Sequence, residues 1–376
     1  MLLTNAFGPD PRVHREASAL VKNGYNVTIL CWDRDLAYKQ RENIDGINVV
    51  RIYLKSTHGR GVTQILFLLL FWLKAAVVGL KEKYNIVHAH DFDTLPLGYF
   101  LALFKRARLV YDAHESYVDM LLHMPHTLKR VIYLSENFFL KRADLVITVG
   151  ELLKEYLVKR GAKKAVVVGN WQDPESFYFD SPELQKEKRR IGITEGQQVL
   201  SFIANLGKER QLPQLIEAVK KLPEVHLLLG GDGPCKNLVK NAARHYPNIS
   251  YLGFVQPSMV PFYTALSDIV FYGFDPDNPN ARFSAPNKLF EALAAGKPLI
   301  TGDFGEIGNI VSHEKCGIII ANYSESQIKA ALLSLKGNEK MKLSKRAKRA
   351  GREKYSWQKA GETLQSSYNY ITNGVW

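Results

Sequence analysis

Ser284-Ala285-Pro286-Asn287-Lys288-Leu289-Phe290-Glu291-Ala292-Leu293-Ala294-Ala295-Gly296-Lys297-Pro298-Leu299-Ile300 runs from a polar loop through a short helix into an apolar strand. An apolar run at Asp268–Gly273 precedes it and Lys297–Gly302 closes it, so the segment reads as one strand–helix–strand unit with parallel strands. The helix start offers unused backbone N–H groups, which attract phosphate. Glu291 lies three residues beyond Lys288 on the same side of the helix. Two readings fit these residues. One is a grip on a nucleotide-sugar, with loop amides on the diphosphate and Glu291 on a ribose. The other is an amphipathic helix with a C-terminal glycine and a surface ion pair.

The same alternation extends in both directions. The first half predicts strands at Leu2–Ala6, Asn26–Trp32, Ile47–Leu54, Ile86–His90, Arg108–Asp112, Leu145–Val149 and Ala165–Val168, with helices near 12–23, 62–82, 94–104, 127–142 and 150–160. The second half predicts strands at Val199–Ala204, His226–Gly230, Ser250–Phe254, Asp268–Gly273, Lys297–Gly302 and Gly317–Ala321. Strands that read as continuous apolar runs are covered on both faces, which is the signature of parallel sheets between helices. A chain of 376 residues is long for one core, so two domains follow. The break falls at Asn170-Trp171-Gln172-Asp173-Pro174. The expected division is 1–172, 173–355, and a C-terminal helix over 356–376 that crosses back to the first domain.

The chain is 46% hydrophobic and 23% charged, as soluble globular proteins are. Cys31, Cys235 and Cys316 are far apart, so neither a disulfide framework nor a structural zinc site is expected. Met1 leads directly into an apolar strand without a basic n-region, which predicts a cytoplasmic chain with no leader. The formal net charge is +13, of which +8 falls on residues 1–170. No basic block interleaved with aromatics is present, so nucleic acid is not an expected partner. Ile65–Leu73 is wholly apolar and is followed by Lys74. This run is too short to span a bilayer. It reads either as a helix packed on a sheet or as an interfacial segment on an anionic membrane, with Arg51, Lys55, Arg60, Lys81 and Lys83 nearby.

Parallel sheets bind ligands beyond the carboxyl ends of their strands, and polar residues gather there. Phe7-Gly8-Pro9-Asp10-Pro11-Arg12 joins the first strand to the first helix, with Asp10 a candidate cap. His88-Ala89-His90-Asp91 ends another strand, with both imidazoles on one face. It fits a metal site with His114 as third imidazole, a satisfied structural histidine, or a cleft histidine on a substrate hydroxyl. Asp112-Ala113-His114-Glu115 suits acid–base work, sugar binding or helix capping. In the second half, Asn205, Lys208, Arg210 and Gly231 follow strands, and two cations beside a helix start would neutralise a diphosphate.

In order and spacing these pieces resemble the retaining glycosyltransferases of family 4. They are Pro9–Val13, Val87–Asp91, Tyr111–Glu115, Ala143–Thr148, Gly207–Arg210, Gly231–Pro234 and Ser284–Ile300. The resemblance implies an α/β chain of the GT-B fold, two Rossmann-like doubly wound parallel-sheet domains facing across a cleft. It implies transfer of a sugar from a nucleotide-diphosphate sugar to an acceptor hydroxyl, with retention and without metal or other cofactor. The acceptor would be a sugar or a lipid-linked molecule, reached at the cytoplasmic face of a membrane. Glu291 matches the second glutamate of the family's paired-glutamate motif and would hold the ribose. The first glutamate falls at Phe283, so this chain departs there. Ser284, Ala285, Pro286, Asn287, Lys288 and Leu289 would meet the donor, together with Gly8, Asn205 and Gly231. Arg210 matches the family's lysine, with Gln211 in place of a glycine, and Lys208 would share the usual arginine's task. His90 would touch the transferred sugar, leaving Asp10, Arg12, Asp112, His114 and Glu115 on the acceptor side. The alternatives are an epimerase of the same fold, a metal hydrolase built on His88, His90, Asp91 and His114, and a non-catalytic nucleotide-sugar-binding protein.

Overall fold

A computed structural model of the chain describes residues 1–8, 10–56, 62–121 and 124–373. Pro9 and Arg60, singled out above, lie outside the described residues. The chain forms two compact units, Met1–Gly169 with Ala360 onward, and Asn170–Lys359.

The first unit is built on an eight-stranded sheet. Its strands are β1 (Leu2–Leu3), β2 (Thr28–Asp33), β3 (Arg41–Ile44), β4 (Ile47–Tyr53), β5 (Ile86–His90), β6 (Arg108–Ala113), β7 (Leu145–Thr148) and β8 (Ala165–Val167). Their order is β3-β4-β2-β1-β5-β6-β7-β8. Ile29, Val110 and Ile147 in the central strands are wholly buried, each such side chain contributing about 1.5–3 kcal/mol. Two strands differ from the sequence reading. The predicted Leu2–Ala6 shortens to Leu2–Leu3, because the chain turns away before Phe7, whose φ is +49°. β3 was not predicted and runs antiparallel to β4 through a turn at Asp45 and Gly46, both with positive φ. Its Arg41, Glu42 and Asn43 put polar side chains on both faces of an edge strand, so no apolar run marks it.

Among the described residues these strands are joined by α1 (Pro11–Lys22), α2 (Val62–Lys81), α3 (Leu95–Lys105), α4 (Tyr117–Met120), α5 (His126–Leu140) and α6 (Glu151–Lys159). α1 starts by rule. Asp10 caps it by accepting from the Val13 N–H, and Pro11 occupies the first turn. α2 fills the predicted 62–82, because Lys74 interrupts the apolar run Ile65–Leu73 without ending the helix. It is apolar and long enough to cross a membrane, yet Phe71 stacks on Trp32 at 5.2 Å and the Trp72 indole donates to Asp93 O at 2.8 Å.

The second unit carries six parallel strands, β9 (Gln198–Ile203), β10 (Val225–Gly230), β11 (Ile249–Tyr251), β12 (Ile269–Phe271), β13 (Leu299–Gly302) and β14 (Gly317–Ile320). The order is β11-β10-β9-β12-β13-β14. Helices cover the sheet, and its core gathers Leu200, Phe202, Leu227, Leu229, Phe271 and Ile300. The helix read at the outset spans Asn287–Ala294 and ends through Gly296, whose φ is +65°. The last helix, Trp357–Asn373, packs largely with the first unit: the Tyr368 ring meets Tyr25 edge-on at 5.4 Å.

Candidate active site

In the first unit, Asp112 at the end of β6 is the hub of a buried charge network. Its carboxylate accepts from Arg12 Nη2 at 2.8 Å and Nε at 3.3 Å, and pairs with His90 Nδ1 at 3.1 Å and His114 Nε2 at 2.9 Å. Arg12 also donates to Val168 O at 2.8 Å and lies 3.0 Å from Glu16 Oε1. His88 stacks on His90 at 4.2 Å, and its Nδ1 meets the Tyr368 hydroxyl at 2.7 Å. Asp91 adopts a left-handed backbone, with φ +62°, and its carboxylate lies 3.3 Å from His114 Nδ1.

These contacts fix protonation states. Burial opposes charge on Asp112, but Arg12 and His114 outweigh it and hold the carboxyl well below its usual range. Burial, with His88 beside it, pushes His90 well below the usual imidazole value. His90 is therefore neutral, Nδ1–H faces Asp112, and its buried Nε2 has no protein partner among the described residues. Burial also opposes charge on His114, yet Asp91 and Asp112 raise it to about 9. Burial raises Glu16 despite Arg12.

A pH effect follows. A group whose folded pKa is raised contributes stability that is complete below its unfolded value, near 6.5 for histidine, and that fades as pH climbs through the folded value. His114 should thus add on the order of 2–3 kcal/mol at pH 6 that is lost toward pH 9. Thermal denaturation across that range should show Tm falling in the wild type and a flatter profile for His114→Gln. Parallel profiles would refute the charged His114.

The network joins Arg12, His90, Asp112 and His114. Asp10 is spent elsewhere, as the α1 cap and as acceptor from the Asn5 amide at 2.9 Å. Glu115 is half-buried one residue past His114. Gly8 is exposed, and a Cβ there would strike the Tyr38 ring at 2.3 Å. Sequence reasoning missed Glu16 and Tyr368. Glu16 sits one turn from Arg12 and was detectable by that spacing, whereas Tyr368 carries no local signal. Glu16, His88, His90 and Asp112 also bring one ligand atom each within 4.8 Å of one another, a donor set that suits zinc. The Arg12 guanidinium already supplies positive charge to both carboxylates. A cavity of about 780 Å³ in this unit lies at the amino-terminal edge of the sheet, beside Met1, Thr28 and Ile86, away from the strands' carboxyl ends.

In the second unit, three adjacent strands deliver the polar loops. After β9, Asn205 approaches Gly233, where a Cβ would come within 2.8 Å of the Asn205 side-chain oxygen. Gly231 has φ +130°, and a Cβ there would lie 1.9 Å from Ala204 O, so the loops after β9 and β10 touch backbone to backbone. Arg210 donates to the Tyr272 hydroxyl, lies over the Phe274 ring at 4.5 Å and pairs with Glu209 at 3.2 Å. Gln211 takes a positive φ of +59° without being glycine. Lys208 is exposed. After β12, Phe283 is buried, Ser284 and Pro286 are half-buried, and Ala285 O accepts from Asn170 at 3.0 Å. Asn287 is exposed, Leu289 is buried in the core, and Lys288 donates to the Glu291 carboxylate.

Residues 7–171 match the family described as glycosyl transferase 4-like domain, and residues 183–354 match glycosyl transferases group 1. The chain therefore belongs to the group 1 glycosyltransferases, enzymes of the GT-B fold. An uncharacterized glycosyltransferase of Methanocaldococcus jannaschii is 25% identical over 94% of this chain and 91% of its own. The alpha-monoglucosyldiacylglycerol synthase of Acholeplasma laidlawii is 25% identical over 66% of each chain. Among solved structures, HepE of Anabaena in complex with UDP shares the fold, with a TM-score of 0.75 and 16% identity over 98% of this chain and 99% of its own.

Proposed function

We propose that this glycosyltransferase moves a sugar from a nucleoside-diphosphate sugar to the hydroxyl of a sugar or lipid-linked acceptor, with retention at the anomeric carbon. The observation that carries this reading is that Arg210, the Gly231–Gly233 turn and the Ser284–Leu289 loop all follow the carboxyl ends of the neighbouring strands β9, β10 and β12, with the β9 and β10 loops touching backbone to backbone. The UDP bound by the HepE relative supports a nucleotide donor. The acceptor class draws support from the glycolipid-forming relative.

In the proposed reaction the bond between the anomeric carbon and the diphosphate oxygen breaks. The acceptor oxygen bonds to the same face of that carbon, and its proton passes to the departing phosphate oxygen. Arg210, Lys208 and the backbone amides from Ser284 to Leu289 stabilise the charge that grows on the diphosphate. In the second unit Asn205 and Gly231 belong to the donor loops, where the glycine lets the turns after β9 and β10 close on each other. Glu291 exchanges its Lys288 partner for the ribose hydroxyls. Neutral His90, held by Asp112, is the histidine we assign to the transferred sugar, its Nε2 being without a protein partner among the described residues, and His114 and Glu115 serve the acceptor. With cations from the protein on the leaving group, no metal or other cofactor takes part. Phe283 supplies no carboxylate to the donor sugar, whose recognition rests on loop amides. We place the reaction on the cytoplasmic side of a membrane.

A thermal-shift panel of UDP, GDP, ADP and dTDP tests the donor site, since a bound ligand stabilises the folded state. One nucleotide should raise Tm, and Glu291→Ala should weaken it at least tenfold, about 1.4 kcal/mol. Undiminished binding by that variant would remove Glu291 from the ribose.

A further inference from the structure

The outer faces of α2, α3 and α5 form an apolar surface that the transfer chemistry does not use. Helix α2 has two apolar stripes. Its inner stripe, Phe71, Ala75 and Gly79, is buried on the sheet and on α3, where Gly79 leaves only 3.0 Å to Leu101 for a Cβ. Its outer stripe, including Leu66, Leu73 and Val77, is 58–66% exposed at those three residues. A helix on the surface of a soluble domain normally turns charged residues outward.

The surface continues beyond α2. On α3, Leu103 and Phe104 are exposed by 60% and 63%. Tyr99 of α3 packs on Phe138 and Phe139 of α5 at 6.0 and 5.4 Å, and on α5 itself Val131 and Leu134 stand exposed. Charge favours one occupant. Across the three helices the sequence holds a single carboxylate, Glu136, and it is buried against Arg160. The helix ends and the residues just beyond them carry Lys81, Lys105, Arg106, Lys129, Lys141 and Arg142, with Glu82 as an exposed carboxylate directly after α2. Large apolar side chains with no acid on the outer helix faces, rimmed mostly by lysine and arginine, match the acyl boundary and anionic headgroups of a bilayer.

We infer that the α2–α3–α5 face docks the protein on an anionic membrane surface as a monotopic contact. Spanning is excluded by the inner stripe, since Phe71 and Trp72 tie α2 to the sheet. The inference stands apart from the proposed transfer, because docking is read without any substrate.

The test is flotation with vesicles of phosphatidylcholine alone and with 30% phosphatidylglycerol, at low and high salt. The wild type should float with the anionic vesicles, and raising the salt should weaken this without abolishing it. Leu66→Gln with Leu73→Gln should reduce binding at least tenfold at unchanged Tm. Leu103→Ser with Phe104→Ser should do the same from the neighbouring helix. Glu291→Ala should float like the wild type, which separates failure of this inference from failure of the donor site. Wild type that stays at the bottom of the gradient, or variants that float undiminished, would overturn the docking face. So would a dimer in light scattering that the Leu66/Leu73 variant disperses, since a second copy would then cover the surface.

Discussion

Arg210→Ala is expected to lower kcat/KM for the cognate donor by about 10²–10³-fold, the usual effect of removing one preorganised contact from a charge that develops in the transition state. Arg210 is held for such a role. Its guanidinium rests over Phe274 and reaches the Tyr272 hydroxyl, so its position is set before any ligand arrives. Stacking restricts the side chain without neutralising it, and Glu209 takes only one edge of the group. Arg210→Lys should recover part of the loss, because it keeps the charge but not the planar fork. Rates measured as nucleotide release in the presence of acceptor, using sugar conjugates of the nucleotide that the thermal-shift panel selects, would check both variants. An alanine variant within threefold of wild type would remove Arg210 from the leaving-group site.

The second large effect concerns stability. Arg12→Met should destabilise the first unit by about 3–5 kcal/mol, because it leaves the buried Asp112 charge without its main partner. In a unit of this size that corresponds to a fall in Tm on the order of 10 °C. Asp112→Asn on the same background should recover part of the loss, since the Asp112 charge is then gone and burial favours the neutral form of Glu16, although His114 gives up one counter-ion. The double-mutant cycle from urea denaturation isolates the pair. An Arg12→Met variant within 1 kcal/mol of wild type would show that the network is hydrated rather than buried.

The two-sheet architecture was legible because doubly buried strands are written as apolar runs, and Leu145–Thr148 or Val225–Gly230 cannot be taken for anything else. β3 was not legible. An edge strand with Arg41, Glu42 and Asn43 has no run to show, and its pairing is specified by the turn at Asp45-Gly46 instead. The Lys288–Glu291 pair follows from helical spacing alone. The Asp112 hub does not, because Arg12 and Asp112 are a hundred residues apart and meet only through the sheet order. Arg210 shows the same limit in the second unit. Its rings, Tyr272 and Phe274, come from the loop after a different strand, so the sequence marks a cation there and not the platform that orients it.

Tyr368 gives the chain a temporal order. It reaches His88 across 280 residues, so the unit that leaves the ribosome first is the one completed last. Until the final helix is made, His88 lacks its hydroxyl partner and the face of the sheet near Tyr25 stays bare. The second unit is contiguous and can close its core in the meantime. The N-terminal half is therefore expected to spend the synthesis of some 200 residues partly assembled, while holding in its interior the histidines of the candidate site.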